Sequence, residues 1–146
     1  MLGIQIADLW VAAGILLGFQ VSSFAWRTAR EVQMSDAGDI TWLPWADRIN
    51  LLSMVVIVVG VFALPVLGTV SDAFVKHAFA LGALLFVGYP FALAGHYDMY
   101  KAKTKRSKDQ AGALVFLPLQ EKVVVCGVFF MALVYVVAAL VSLANS

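Results

Sequence analysis

The chain has 146 residues, 62% of them hydrophobic and 13% charged, with a formal net charge of +1. A soluble domain carries roughly 25% charged residues, so this chain has too little polar surface to cover a water-soluble core. The near-neutral balance points to no nucleic-acid partner, and the single cysteine, Cys126, excludes an intrachain disulfide.

The apolar residues fall into four blocks, each near the ~20 residues needed to cross a bilayer. We read an all-α integral membrane protein: one domain, residues 1–146, folded as an antiparallel bundle of four transmembrane helices. Span 1 is expected over 4–25. Its start has no basic n-region or small-residue cleavage site and reads as a retained span. Asp8 lies about one turn inside it, where an ionisable group joins either the headgroups or a conduit. Gly14-Ile-Leu-Leu-Gly18, with Ser22 a turn later, is a small-residue face suited to helix packing. Trp26 and Arg27 are expected at the headgroups, followed by a polar loop from Glu31 to Thr41 with turn residues Asp36-Ala-Gly-Asp39.

Trp42-Leu-Pro-Trp45 returns the chain to the membrane, and span 2 is expected over 49–70. Pro44 suits a first helical turn, Asp47 faces the positive end of the helix dipole, and Pro65 is expected to kink or loosen the far end. A tight Ser71-Asp72-Ala73 connection leads to span 3 over 74–95, which contains Gly88, Ala92 and a second proline, Pro90. His96, Tyr97 and Asp98 mark its exit. Next comes Lys101-Ala-Lys-Thr-Lys-Arg-Ser-Lys108, with five of the ten Lys and Arg residues, and span 4 is expected over 118–143.

Nine of those ten cations belong to the 1–2 and 3–4 connections or adjoining helix starts; only Lys76 lies on the other side. The positive-inside rule therefore places loops 26–48 and 96–117 in the cytoplasm and both termini outside a plasma or bacterial inner membrane. The basic loop is expected to meet anionic lipid headgroups.

Two stretches repeat at an offset of 74. Trp42-Leu-Pro-Trp-Ala-Asp-Arg-Ile49 and Phe116-Leu-Pro-Leu-Gln-Glu-Lys-Val123 share aromatic, Leu, Pro, apolar, acid, base and aliphatic positions in one order. The same offset carries Gly14 and Gly18 onto Gly88 and Ala92. A duplicated helical hairpin, with halves near 1–73 and 74–146 and both copies the same way up, explains the match.

No nucleophile elbow, phosphate-binding loop, dinucleotide fingerprint or metal-ligand spacing occurs, and no cofactor or metal is expected. The candidate groups are then few. Asp8, Gln20, Lys76 and His77 are expected as conduit or ion-pair residues. Asp47, Arg48, Glu121 and Lys122 are read as dipole complements and lipid anchors, or as a charged cytoplasmic mouth. His96 and Asp98 are candidates for proton relay. Ser22, Ser23, Ser53, Tyr89 and Tyr135 supply the other interior polar groups. Together these suggest a homo-oligomeric conduit for an ion or small solute. The rivals are a non-catalytic subunit or assembly factor of a larger membrane complex and, third, an enzyme acting on a lipid or quinone-like substrate.

Overall fold

A computed structural model describes residues 5–35, 43–97, 99–100 and 117–144. Among these residues it is all-helical: α1 (Ile6–Ser35), α2 (Trp45–Val66), α3 (Asp72–His96) and α4 (Leu119–Ala144). Each helix is long and apolar enough to cross a membrane. The four pack as a bundle.

The boundaries depart from the sequence reading at the end of α1 and at both ends of α2, which stops at Val66 rather than 70. α1 does not stop near residue 25 but continues to Ser35, so Glu31 lies on a helix rather than in a loop. The extension is held by tertiary contacts, because Arg27 and Glu31 turn inward and are buried with Leu9, Ala13 and Gln20 on one face. Steps of four and seven residues keep those five on one stripe. α2 begins at Trp45, four residues before the expected start, with Pro44 as its N-cap. Turn and loop residues 36–42, Asp98 and the basic loop 101–116 lie outside the described residues.

α3 is the axis of the bundle. Val75, Ala78, Gly82, Leu85, Tyr89, Ala92 and His96 recur along it in steps of three and four and are all buried. Its glycines let neighbours close in. A Cβ on Gly82 would come within 2.5 Å of Ile57 on α2, one on Gly88 within 2.5 Å of Val128 on α4, and one on Gly95 within 2.8 Å of the Glu121 backbone nitrogen. Gly88 and Ala92 are thus spent inside the chain. Gly14, Gly18 and Ser22 are exposed, and a Cβ on either glycine meets nothing within 4 Å.

Pro65 acts locally. From Val58 to Ala63 the helix is π-helical, and a last α-turn, Leu64–Val66, carries the proline. In a regular helix the Val61 carbonyl would accept from the N–H of residue 65, which proline lacks. The Trp10 indole N–H donates to that carbonyl instead, at 2.9 Å. A Schellman-type ending follows: Thr69 N–H donates to Leu64 O and Gly68 N–H to Pro65 O, with Gly68 at φ +67°. Ser71 then caps α3 by accepting from Phe74 N–H.

The two ends of the bundle have different interiors. At the Trp10 end, Leu9, Ala13, Ile57, Val61, Val75 and Ala78 form a purely apolar core. Toward the other end, apolar Ala46, Ile49, Leu85, Ala92, Val125 and Ala132 pack with Tyr89. Beside them, between the four helices, lies a set of buried polar groups.

Candidate functional site: a buried polar cluster

Every helix contributes to this cluster. α1 supplies Gln20, Arg27 and Glu31. α2 supplies Asp47, Asn50 and Ser53 at three-residue steps, which keep them on one face. α3 supplies Tyr89 and His96, seven apart, and its C-cap Tyr97; α4 supplies Glu121. Gln20, Asp47, Asn50, Ser53, His96 and Glu121 are completely buried, and Arg27 is 4% exposed. Charges removed from water this thoroughly are costly unless paired and hydrogen-bonded.

Pairing is extensive. Arg27 Nη1 lies 2.6 Å from Asp47 Oδ2. His96 Nδ1 lies 2.7 Å from Glu121 Oε2. The second oxygen of Glu121 accepts from the Ala46 N–H at 3.1 Å, filling an N–H left open in the first turn of α2. Tyr97 OH donates to Glu31 Oε1, and the Arg30 guanidinium stacks over the Tyr97 ring at 4.9 Å. Burial and the Glu31 carboxylate push the Tyr97 phenol up to about 12.

Deeper in the bundle the groups are neutral. Gln20 Nε2 donates to Ser53 Oγ, which donates onward to the Gly82 carbonyl at 2.6 Å. Asn50 Nδ2 donates to the Gln20 carbonyl at 3.2 Å. Besides the ion-paired Asp47 Oδ2, four oxygens remain without a hydrogen-bond partner: Gln20 Oε1, Asp47 Oδ1, Asn50 Oδ1 and the Tyr89 hydroxyl. Leaving a buried acceptor unmet costs about 1–3 kcal/mol, so this concentration in one place is a functional signal.

The sequence candidates are divided by the fold. Asp47 and Glu121 are both buried, and Glu121, in the first turn of its own helix, also caps α2. Their neighbours Arg48 and Lys122 point outward and are exposed, with Arg48 over the Trp45 ring at 4.7 Å. Arg27, expected in water beside the headgroups, is inside because Asp47 requires a partner there. Gln20 and His96 belong to the cluster.

Asp8 and Lys76 are exposed and, among the described residues, make no ion pair with each other or with His77. His77 instead meets the Tyr135 hydroxyl at 2.9 Å, beside an apolar cavity of about 380 Å³ that includes Val59, Leu81 and Ala139 in its walls. That cavity and a second of about 470 Å³ between α3 and α4 lie away from the cluster. Among the described residues no three His, Cys, Asp or Glu side chains are grouped to hold a metal ion.

Arg27, Glu31 and Asn50 are not among the site candidates read from the sequence, which takes Arg27 as a headgroup cation and Glu31 as the start of a loop. Their signal was spacing: positions 20, 27 and 31, and positions 47, 50 and 53, each form a polar stripe once the helix is known to include them.

No protein-family model, curated protein or solved structure matches the chain. The chemistry of the cluster therefore carries the functional reading.

Proposed function

We propose that the protein is a membrane conduit for a proton or small cation, working as a homo-oligomer, with the buried cluster as its conducting element. The supporting observation is the placement of Arg27, Glu31, Asp47, His96 and Glu121 among buried groups, continued by Asn50, Gln20 and Ser53. Ionisable groups inside a membrane bundle are rare, and ion and proton pathways are where they concentrate. From Glu31 to Gln20 is eleven residues of α1, about 16 Å along the helix axis at ~1.5 Å per residue. The polar track is thus about half as long as a ~30 Å hydrocarbon core is thick. The apolar core at the Trp10 end closes the rest, so passage requires that seal to part. The π-helical turn Val58–Ala63 borders it, and such turns recur at functional sites.

In this reading the helices alternate in direction as two similar hairpins, with both termini outside and the track opening to the cytoplasm. Two matched features support the repeat. The acids at matched positions, Asp47 and Glu121, are both buried and each pairs with a base on its hairpin's first helix, Arg27 and His96, two positions that the offset of 74 does not superpose. Each second helix also opens with the same bond, from Arg48 N–H to Pro44 O and from Lys122 N–H to Pro118 O. The exposed Gly14–Gly18–Ser22 face supports association with another helix, either of a second copy or, in the rival reading, of a different chain in a larger complex.

Flux into proteoliposomes tests the proposal. Wild-type protein should carry protons or sodium down an imposed gradient, and Asp47→Asn and Glu121→Gln should abolish that flux while the proteins still reconstitute. Wild-type vesicles as tight as empty ones would overturn it, and co-purification with a different chain would turn the reading to an accessory subunit.

A further inference from the structure

Three acid–base neighbours at one end of the bundle are split in the same way. In Arg30-Glu31, Asp47-Arg48 and Glu121-Lys122 the acid is buried and the base is exposed. Adjacent residues lie about 100° apart around a helix, so one can face the bundle and the other its surroundings. Contacts of the acids hold them near one level. Glu31 meets Tyr97, Asp47 meets Arg27, and Glu121 meets both His96 and the Ala46 N–H. Each carboxylate is thus answered from inside. Among the described residues, the exposed charges at this end are the cations Arg30, Arg48 and Lys122, whereas the Trp10 end exposes Asp8 and Asp72 as well as Lys76.

Aromatic faces hold both guanidiniums in place. Arg30 lies 4.9 Å from the centroid of the Tyr97 ring, and Arg48 lies 4.7 Å from that of Trp45. The rings are themselves fixed, Tyr97 by its bond to Glu31 and Trp45 by edge-on packing against Phe129. Stacking occupies the face of a guanidinium and leaves the N–H donors along its edge. Among the described residues, neither side chain uses those donors in an ion pair or hydrogen bond. Trp26 and Tyr100 are exposed near the same level, and such aromatic residues mark the depth of lipid headgroups.

We propose that the guanidinium edges of Arg30 and Arg48, with Lys122 as a third cation, bind the phosphates of anionic phospholipid headgroups around this end of the bundle. A planar fork of donors matches phosphate oxygens two at a time. A zwitterionic lipid carries its own ammonium beside the phosphate, whereas an anionic lipid leaves that charge for the protein to meet. The proposal rests on the four helices spanning a bilayer. It is independent of the conduit reading and of the basic stretch 101–108.

The full-length protein in a neutral detergent is unfolded thermally while phosphatidylglycerol or phosphatidylcholine is added at equal mole fraction. Phosphatidylglycerol should stabilise it saturably, and phosphatidylcholine should not. Arg30→Gln combined with Arg48→Gln should unfold close to wild type without added lipid, because neither side chain makes an ion pair. Its half-saturating mole fraction of phosphatidylglycerol should rise about thirtyfold, which corresponds to ~2 kcal/mol. Arg30→Lys combined with Arg48→Lys keeps the charge, loses the stacked fork and should also weaken the response. A variant with Lys101, Lys103, Lys105, Arg106 and Lys108 replaced by glutamine should still distinguish the two lipids. Equal stabilisation of the wild type by both lipids would overturn the site. So would a wild-type midpoint in either arginine variant, or loss of discrimination in the 101–108 variant. Saturable stabilisation by inorganic phosphate without lipid would overturn it too, by making a free anion the ligand.

Discussion

The two ends of the bundle are built from the same four helices yet solve opposite problems. At the Trp10 end the core is aliphatic; the Trp10 indole crosses it to the carbonyl that Pro65 leaves without its regular partner, and His77 meets Tyr135 at its edge. At the other end Arg27, Glu31, Asp47, His96 and Glu121 are drawn inward and tied together across all four helices. An apolar core tolerates small changes of register, because dispersion has little direction. A buried charge does not, since each ion depends on one partner in one place. The polar end should therefore be both the more fragile and the more informative half.

The largest expected effect is at Arg27. Arg27→Ala strands the Asp47 carboxylate inside the bundle and should destabilise the protein by about 3–5 kcal/mol, measured by denaturant unfolding in mixed micelles. Replacing both partners, Arg27→Met with Asp47→Leu, should recover most of that loss, because no uncompensated charge remains. If the single variant is as stable as wild type, the contrast between the two ends is lost.

Next comes Gly95, where an added methyl meets the backbone of α4 rather than a flexible side chain. Gly95→Ala should cost about 1–3 kcal/mol. It should also pull Glu121 from His96, visible as a change in the His96 imidazole nitrogen shifts. Unchanged shifts would show that α4 is not seated by that contact.

At the apolar end, Trp10→Phe should cost only about 1 kcal/mol, the net value of one hydrogen bond. Pro65→Ala restores an N–H near Val61, so the two substitutions should be coupled in a double-mutant cycle. Additive effects would mean that Trp10 does not compensate for the proline. Smallest of all is Gly18→Ala, which touches nothing within the chain and should change stability by no more than about 0.5 kcal/mol. A larger loss, appearing only where the protein self-associates, would identify that face as the contact between copies.

Much of the architecture was legible in the chain. Four spans followed from runs of apolar residues, because hydrophobic length against bilayer thickness is a property of sequence alone. Glu121 and Asp47 stood out as a repeated acid a few residues after a proline. Their surroundings could not be read, because an acid in a first helical turn satisfies its own dipole and a neighbour's backbone equally well. Ala46, which Glu121 caps, lies 75 residues away in sequence.

Arg27 shows the division most clearly. Sequence placed a tryptophan and a cation at the end of a hydrophobic run, a pattern that ordinarily means headgroups and water. Whether a long cationic side chain reaches out to solvent or folds inward depends on what the neighbouring helix presents at that height. Asp47 is presented there, so Arg27 turns in, and α1 continues past the expected boundary to bring Glu31 to Tyr97. The number of helices and their apolar lengths were thus determined by composition and order alone. Which charges were to be buried, and against what, was decided only when the helices packed, because burial of an ion is set by its partner and not by its position in the chain.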